Sequence, residues 1–105
     1  MKPSRPFNET SKQLLADPET ARMYLEECLA DGNQELFKLA LKHVAEARLG
    51  GMSALSRATE LNREALYRSL SEEGNPSFET LNKVLGAIGF RLSVAQAQTP
   101  FAGNP

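Results

Sequence analysis

Apolar residues recur along most of the chain at spacings of three and four, which is the period of an amphipathic helix. This pattern predicts five helices, at about residues 17–31, 34–49, 53–59, 62–70 and 77–88. Helix-boundary signals support these bounds, because Asp17 and Pro18 suit the start of the first helix and Gly50 suits the end of the second. The sequence therefore predicts an all-α fold with one domain, residues 17–95.

The period changes to two after residue 89, where Phe90, Leu92 and Val94 alternate with polar or small residues. Such alternation is typical of a half-buried β-strand. A single strand in an otherwise helical chain has no partner, and its backbone groups need another strand to pair with. We therefore expect Phe90, Leu92 and Val94 to form a short C-terminal β-strand that pairs with the same strand of a second copy.

The two ends of the chain differ in composition from the predicted domain. Residues 1–16 are mostly polar and contain two prolines, which predicts a flexible N-terminal arm that is ordered only against a partner. Residues 96–105 are predicted to form a disordered tail.

Charge and length restrict the function classes. The 105 residues allow one modest core, and 13 acidic against 12 basic residues give a formal net charge of −1. Proteins that bind nucleic acid by charge alone are usually basic, so the sequence favours site-specific contacts through a few arginines over non-specific binding. No apolar run approaches the ~20 residues of a spanning helix, and no signal peptide is evident. We expect a cytoplasmic protein with no membrane partner.

Candidate catalytic and metal-binding residues are few. Cys28 is the single cysteine, lies on an apolar stripe and is expected in the core. His43 is the single histidine and has no second ligand at a metal-binding spacing. No paired acid and base suggest catalysis, so we expect a protein that is not an enzyme and that needs no cofactor or metal.

The most informative stretch is residues 49–94. Two short apolar-periodic segments flank a three-residue polar break, and an Asn-Pro-Ser helix start and another periodic segment follow. This layout predicts a helix-turn-helix motif, whose second helix can enter the major groove of DNA.

Four polar side chains lie on the predicted outward face of that second helix: Arg63, Glu64, Tyr67 and Arg68. Arginine can donate two hydrogen bonds to guanine, and glutamate can accept one from cytosine. The alternative interpretation is a solvated helix face with an ion pair between Glu64 and Arg68. Together with residues of the preceding helix and the turn, the residues expected to contact DNA are Ser53, Arg57, Asn62, Arg63, Glu64, Tyr67 and Arg68.

Three segments carry a resemblance to a known class. They are YLEECLADGNQELFKLALKHVAEA (24–47), LNREALYRSL (61–70) and NPSFETLNKVLGAIGFRLSV (75–94). They resemble Xre/Cro-type helix-turn-helix proteins and, within that class, the HigA-like antitoxins called probable addiction-module antidote proteins. The chain departs from the pattern at Glu60, where a glycine is common in the turn, and at Met52, where many relatives carry a phosphate-binding glutamine.

The resemblance implies a five-helix, lambda-repressor-like fold and a homodimer that binds double-stranded DNA. Two-fold symmetry of such a dimer would be mirrored in a palindromic operator. The resemblance also implies a cognate toxin, a small basic protein of the RelE-like class. An exposed acidic patch, Glu26, Glu27 and Asp31, is either a solvated face or a contact for that toxin.

Three function hypotheses follow. The first is an antitoxin of a type II toxin–antitoxin module that represses its own operon and neutralises its toxin by direct binding. The second is a stand-alone phage-type repressor without a toxin. The third is a protein-interaction module that has lost DNA binding, which the near-zero net charge favours.

Overall fold

The computed structural model describes residues 7–97, and this part of the chain is all-α, as predicted. It contains six helices rather than the five expected, and no β-strand. The helices are α1 (Glu9–Ala16), α2 (Pro18–Asp31), α3 (Gln34–Leu49), α4 (Met52–Thr59), α5 (Arg63–Ser69) and α6 (Phe78–Ala87). The five predicted helices correspond to α2 through α6.

Helix α1 lies where we expected a flexible arm, so that expectation was wrong for residues 9–16. The side chain of Asn8 accepts a hydrogen bond from the Ser11 N–H and caps the helix, and Leu15 is buried. Helix α1 packs against α2 and α3. One buried leucine in eight residues is a weak periodic signal, which is why the pattern did not predict a helix. Residues 1–6 and most of the predicted tail, from residue 98 onward, lie outside the described residues.

Asp17 joins α1 to α2 without a loop. Its backbone N–H donates to the Leu14 carbonyl at the end of α1, and its carboxylate accepts from the Thr20 N–H at the start of α2. Hydrogen bonds from Thr20 hold the pKa of the Asp17 carboxyl below its usual range. The predicted helix start at Asp17 and Pro18 is therefore confirmed, with an added role in ending α1.

Helix α3 is the centre of the core, with α1, α2 and α4 packed around it. Ala40, Leu41, Val44 and Ala45 of α3 are all fully buried. The core is completed by Leu55 of α4, Leu66 and Leu70 from α5 and its C-cap, and Val84, Leu85 and Ile88 from α6 and its C-cap. Full burial of each such side chain stabilises the fold by roughly 1.5–3 kcal/mol.

A buried lysine connects α3 to the loop that follows α5. Lys38 is only 4% exposed, and its Nζ donates to the carbonyl oxygens of Ser71 at 2.7 Å, Gly74 at 2.6 Å and Glu72 at 3.3 Å. The ammonium also lies 3.1 Å from a carboxylate oxygen of Glu35. A buried charge is tolerated only with such partners. The Ser71 carbonyl also accepts the Gly74 N–H at 3.0 Å.

The same loop approaches α5 closely at Gly74. A Cβ atom at this position would collide with the carbonyl oxygens of Arg68 and Ser69. The absence of a side chain therefore lets the loop fold back against the C-terminal end of α5, where Lys38 binds it.

The segment after α6 is not the strand that we predicted. The Phe90 N–H donates to the Leu85 carbonyl at 2.7 Å, and Phe90 and Leu92 pack, half-buried, against the core. The alternation thus reflects a chain with one face against helices, whereas Val94 is 97% exposed. A strand needs a hydrogen-bonded neighbour, and residues 7–97 provide none.

We predict that Glu60→Gly stabilises the protein by about 0.5–1 kcal/mol. Glu60 has φ 61° and ψ 22°, and it is the one non-glycine residue with positive φ in residues 7–97. This left-handed conformation costs about 1–2 kcal/mol for a residue with a Cβ atom, partly offset by the greater freedom of glycine in the unfolded chain. The measurement is urea-induced unfolding of the parent, Glu60→Gly and Glu60→Ala. A glycine variant no more stable than the alanine variant would contradict the prediction, because strain at the Cβ atom would then not exceed the entropic cost of glycine.

Candidate nucleic-acid interface

Helices α4 and α5 are joined by a turn at residues 60–62, as the three-residue polar break predicted. Two hydroxyl groups hold this turn. The Ser56 hydroxyl donates to the Leu61 carbonyl at 2.8 Å, and the Thr59 hydroxyl donates to the Leu55 carbonyl at 2.8 Å and accepts from the Leu61 N–H at 3.3 Å. The Thr59–Leu55 bond is buried, whereas the two bonds to Leu61 are partly buried and connect the end of α4 to the turn before α5.

Asn62 is the N-cap of α5, and its side chain makes the capping hydrogen bond. Its Oδ1 accepts the N–H of Ala65 at 2.9 Å, which is the N-cap bond expected of asparagine. Within α5 only Leu66 is buried, and Leu70 follows as the buried C-cap. The remaining outward positions of this seven-residue helix are free for contacts with a partner.

The predicted DNA-contacting residues are all exposed to solvent: Ser53, Arg57, Asn62, Arg63, Glu64, Tyr67 and Arg68. Ser53 and Arg57 lie on α4, and the last four lie on α5. The structure therefore brings them together on two helices that share one turn. Their contact with DNA stays a prediction.

Arg63 and Tyr67 form a pair on the surface of α5. The Arg63 guanidinium carbon lies 5.7 Å from the centre of the Tyr67 ring, in the range of a cation–π contact. This contact restrains the guanidinium above the helix surface while leaving its N–H donors accessible.

The ion pair between Glu64 and Arg68 is not formed. Within residues 7–97, no carboxylate oxygen lies within 4.0 Å of the guanidinium groups of Arg57, Arg63 or Arg68. The salt bridges in this part of the chain lie elsewhere, on α1, α2, α3 and α6. The α4–α5 surface thus presents three arginines whose charge is not neutralised by a bound carboxylate.

A second polar cluster, centred on His43, lies on other elements. The His43 ring stacks on Phe7 with centroids 4.2 Å apart, and its Nδ1 is 2.9 Å from the Tyr24 hydroxyl. Burial raises the pKa of Tyr24 to about 12, and burial together with Lys42 lowers the pKa of His43. The cluster attaches the start of the described chain to α2 and α3, and sequence reasoning missed it because its members are far apart in the chain.

The remaining residues of interest lie outside the α4–α5 surface, and the structure shows their burial and their partners. Cys28 is buried in the core as expected, and burial raises the pKa of its thiol. Phe78, the first residue of α6, is 70% exposed. In the predicted acidic patch, Glu26 is paired with Arg22 at 2.9 Å, whereas Glu27 and Asp31 are exposed.

Residues 7–97 contain neither a candidate metal site nor a membrane-spanning helix. No group of three or more His, Cys, Asp or Glu side chains in residues 7–97 is placed to hold a metal ion. None of the six helices in this range has the length and apolar character needed to cross a membrane.

Comparisons with known proteins identify relatives of this chain. A family model described as "probable addiction module antidote protein" matches residues 5–96. A protein of Haemophilus influenzae that is described only as uncharacterized is 39% identical over 84 residues, which is 80% of this chain and 84% of that protein. No solved structure matches the chain.

The His43 cluster predicts a pH dependence of stability. In the folded chain the pKa of His43 lies below its ordinary value of 6.5, so between the two values the unfolded chain binds the proton more readily. The contribution of His43 to stability should be complete above pH 6.5 and should decrease as the pH falls toward the folded-state pKa.

The measurement is the free energy of unfolding of the parent and of His43→Gln at several pH values from about 8 to 5. The parent should lose more stability than the variant on acidification, since glutamine does not titrate. Identical pH profiles for the two proteins would contradict this role of His43.

Proposed function

The chain belongs to the family of probable addiction module antidote proteins, and on this basis we propose that it is the antitoxin of a type II toxin–antitoxin module. Family membership supports the antitoxin role and implies a toxin partner. We further propose that the protein is a cytoplasmic, sequence-specific DNA-binding repressor of its own operon. It would neutralise a small basic toxin of the RelE-like class by direct binding.

The observation that carries the DNA-binding proposal is the exposed surface of α4 and α5. It combines three arginines that have no carboxylate partner within residues 7–97 with a turn that two hydroxyl groups hold. We propose that α4 and α5 act as an Xre/Cro-type helix-turn-helix, with α5 in the major groove. A rigid, shallow helix pair with accessible guanidinium donors suits this docking mode.

The side chains on this surface would have different roles. Arg63 would donate two hydrogen bonds to guanine, held in place by the Tyr67 ring, and Glu64 would accept from cytosine. Arg57 and Arg68 would contact phosphates, which position the protein but carry no sequence information. Ser53 would add a hydroxyl contact to phosphate.

The bound species would be a symmetric homodimer on a palindromic operator, with half-sites about one helical turn (~34 Å) or a multiple of it apart. The C-terminal residues Phe90, Leu92 and Val94 would contribute to the dimer interface. The near-zero net charge fits such a protein, because it limits non-specific attraction to DNA and leaves recognition to specific contacts.

The stand-alone repressor and the interaction module make different predictions from the antitoxin. An antitoxin should copurify with the product of an adjacent small reading frame and relieve its toxicity on coexpression. A gel shift on the protein's own promoter separates both DNA-binding hypotheses from the interaction module.

We predict that Arg63→Ala weakens operator binding by ~1–3 kcal/mol and relaxes the preference for one base pair per half-site. Arg57→Ala should instead weaken binding to all sequences alike and reduce the salt dependence by about one phosphate contact. The fold should be unaffected, since both side chains are exposed. Binding to operator and scrambled DNA is measured over a range of salt concentrations, with circular dichroism as a folding control.

Lys12→Ala is a matched control for the loss of one positive charge. Lys12 lies on α1 and pairs with Glu46 of α3 at 3.4 Å, so it belongs to neither helix of the proposed DNA surface. If folded Arg63→Ala distinguishes operator from scrambled DNA as well as Lys12→Ala does, Arg63 does not read a base.

A further inference from the structure

An apolar groove lies between α2 and the segment that follows α6. It has a volume of about 150 Å³ and is lined by the apolar side chains of Leu25, Leu29, Phe37, Leu85, Phe90 and Leu92. Leu29 is 52% exposed although it faces this groove. An exposed apolar surface of this kind is informative because soluble proteins usually cover it.

Beside the groove, the backbone of residues 91–97 makes no hydrogen bond within the described part of the chain. The last backbone bond is the one from the Phe90 N–H to Leu85. The same segment carries Val94, which is 97% exposed. Unpaired backbone donors and acceptors next to an apolar groove are the features that a pairing strand requires.

The rim of the groove carries both signs of charge. Arg91 is exposed, and within residues 7–97 no carboxylate oxygen lies within 4.0 Å of its guanidinium group. Glu26 lies on the α2 side and shares Arg22 with Glu19, so that two carboxylates face one cation. The groove lining therefore contains Arg91 next to the pair of Arg22 and Glu26, in which the arginine is shared with Glu19.

We propose that this groove is an interface between two copies of the chain. Residues 90–95 of the copies pair antiparallel, Val94 of one copy enters the groove of the other, and Arg91 pairs with Glu26 across the interface. Pairing centred on Leu92 or Ser93 places Val94 opposite Phe90 or Leu92 of the second copy, on the groove side. The inference deepens the homodimer of the proposed function by assigning its contacts.

Self-complementarity favours a second copy over any other occupant. In a two-fold interface the same patch serves both partners, so it must contain both halves of each interaction. This patch contains a projecting valine and an apolar groove, a cation and an anion, and backbone donors and acceptors. An interface with a toxin or another protein would require this patch to supply only one member of each of these pairs.

The first test is Val94→Asp, studied by light scattering without DNA or toxin. The parent should be a dimer and Val94→Asp a monomer with an unchanged circular dichroism spectrum, since Val94 contacts little within its own chain. Ala95→Asp adds the same charge at a neighbouring exposed position on the other side of the segment and should dimerise like the parent.

The second test uses charge reversal to distinguish contacts between copies from contacts within one. Arg91→Glu and Glu26→Arg should each dimerise at least ~10-fold more weakly than the parent, because like charges then face each other. An equimolar mixture should form heterodimers, since both pairs are then of opposite sign. Glu27→Arg, an exposed residue of α2 that does not line the groove, is the matched control and should not form such heterodimers preferentially.

Three results would overturn the interface: a monomeric parent, a Val94→Asp variant that dimerises like Ala95→Asp, or no preferential heterodimer in the mixture. Retained dimerisation of Val94→Asp with loss of toxin copurification would assign the groove to the toxin instead. Because these measurements omit DNA, a dimer that fails to bind its own promoter would refute the proposed repressor while leaving the interface intact.

Discussion

The ammonium group of Lys38 is the interaction on which the position of α5 depends. A charge in the protein interior needs hydrogen-bond acceptors around it, and here they are carbonyl oxygens of Ser71, Glu72 and Gly74, just beyond the end of α5. Helix α5 has seven residues, which is too few to be stable alone in water. Its orientation is therefore determined by contacts at its two ends, the hydroxyl-bonded turn before it and the lysine-bound loop after it. With only Leu66 buried in the core, α5 leaves Arg63, Glu64, Tyr67 and Arg68 exposed to solvent.

A second cation has a similar role at the other end of the molecule. Nε of Arg48 donates to the Ile88 carbonyl and Nη1 to the Ala16 carbonyl, both at 2.9 Å. Its guanidinium carbon also lies 5.8 Å from the centre of the Phe90 ring. These contacts connect the ends of α1 and α6 with the start of the segment that lines the groove. No residue that lines the groove belongs to α4 or α5, and the two basic residues that contact these regions, Lys38 and Arg48, both lie on α3.

Local signals in the sequence were enough to predict the helix starts and most of the core. The caps at Asp17 and Asn62 form the hydrogen bonds that their residue types favour, and the apolar stripe of α3 is buried. Alternation after residue 89 did not produce a strand within residues 7–97, because a chain segment with one face on helices shows the same period as a strand. The burial of Lys38 could not be predicted, since its acceptors lie more than thirty residues further along the chain. For the candidate site, the sequence predicted which side chains would be exposed together, but not the Arg63–Tyr67 contact or the missing ion pair.

Amide hydrogen exchange of Lys38→Met measures most directly whether Lys38 holds α5 in place. The methionine keeps the apolar part of the side chain and removes the donors, and hydrogen bonds to a charged group contribute about 1.5–3 kcal/mol. The amides of Leu66 and Leu70, which donate to carbonyls within α5 and at its start, should then exchange roughly 10- to 150-fold faster relative to amides in the middle of α2. Equal acceleration in α2 and α5, or none in either, would contradict the claim that this one ammonium group fixes the position of α5.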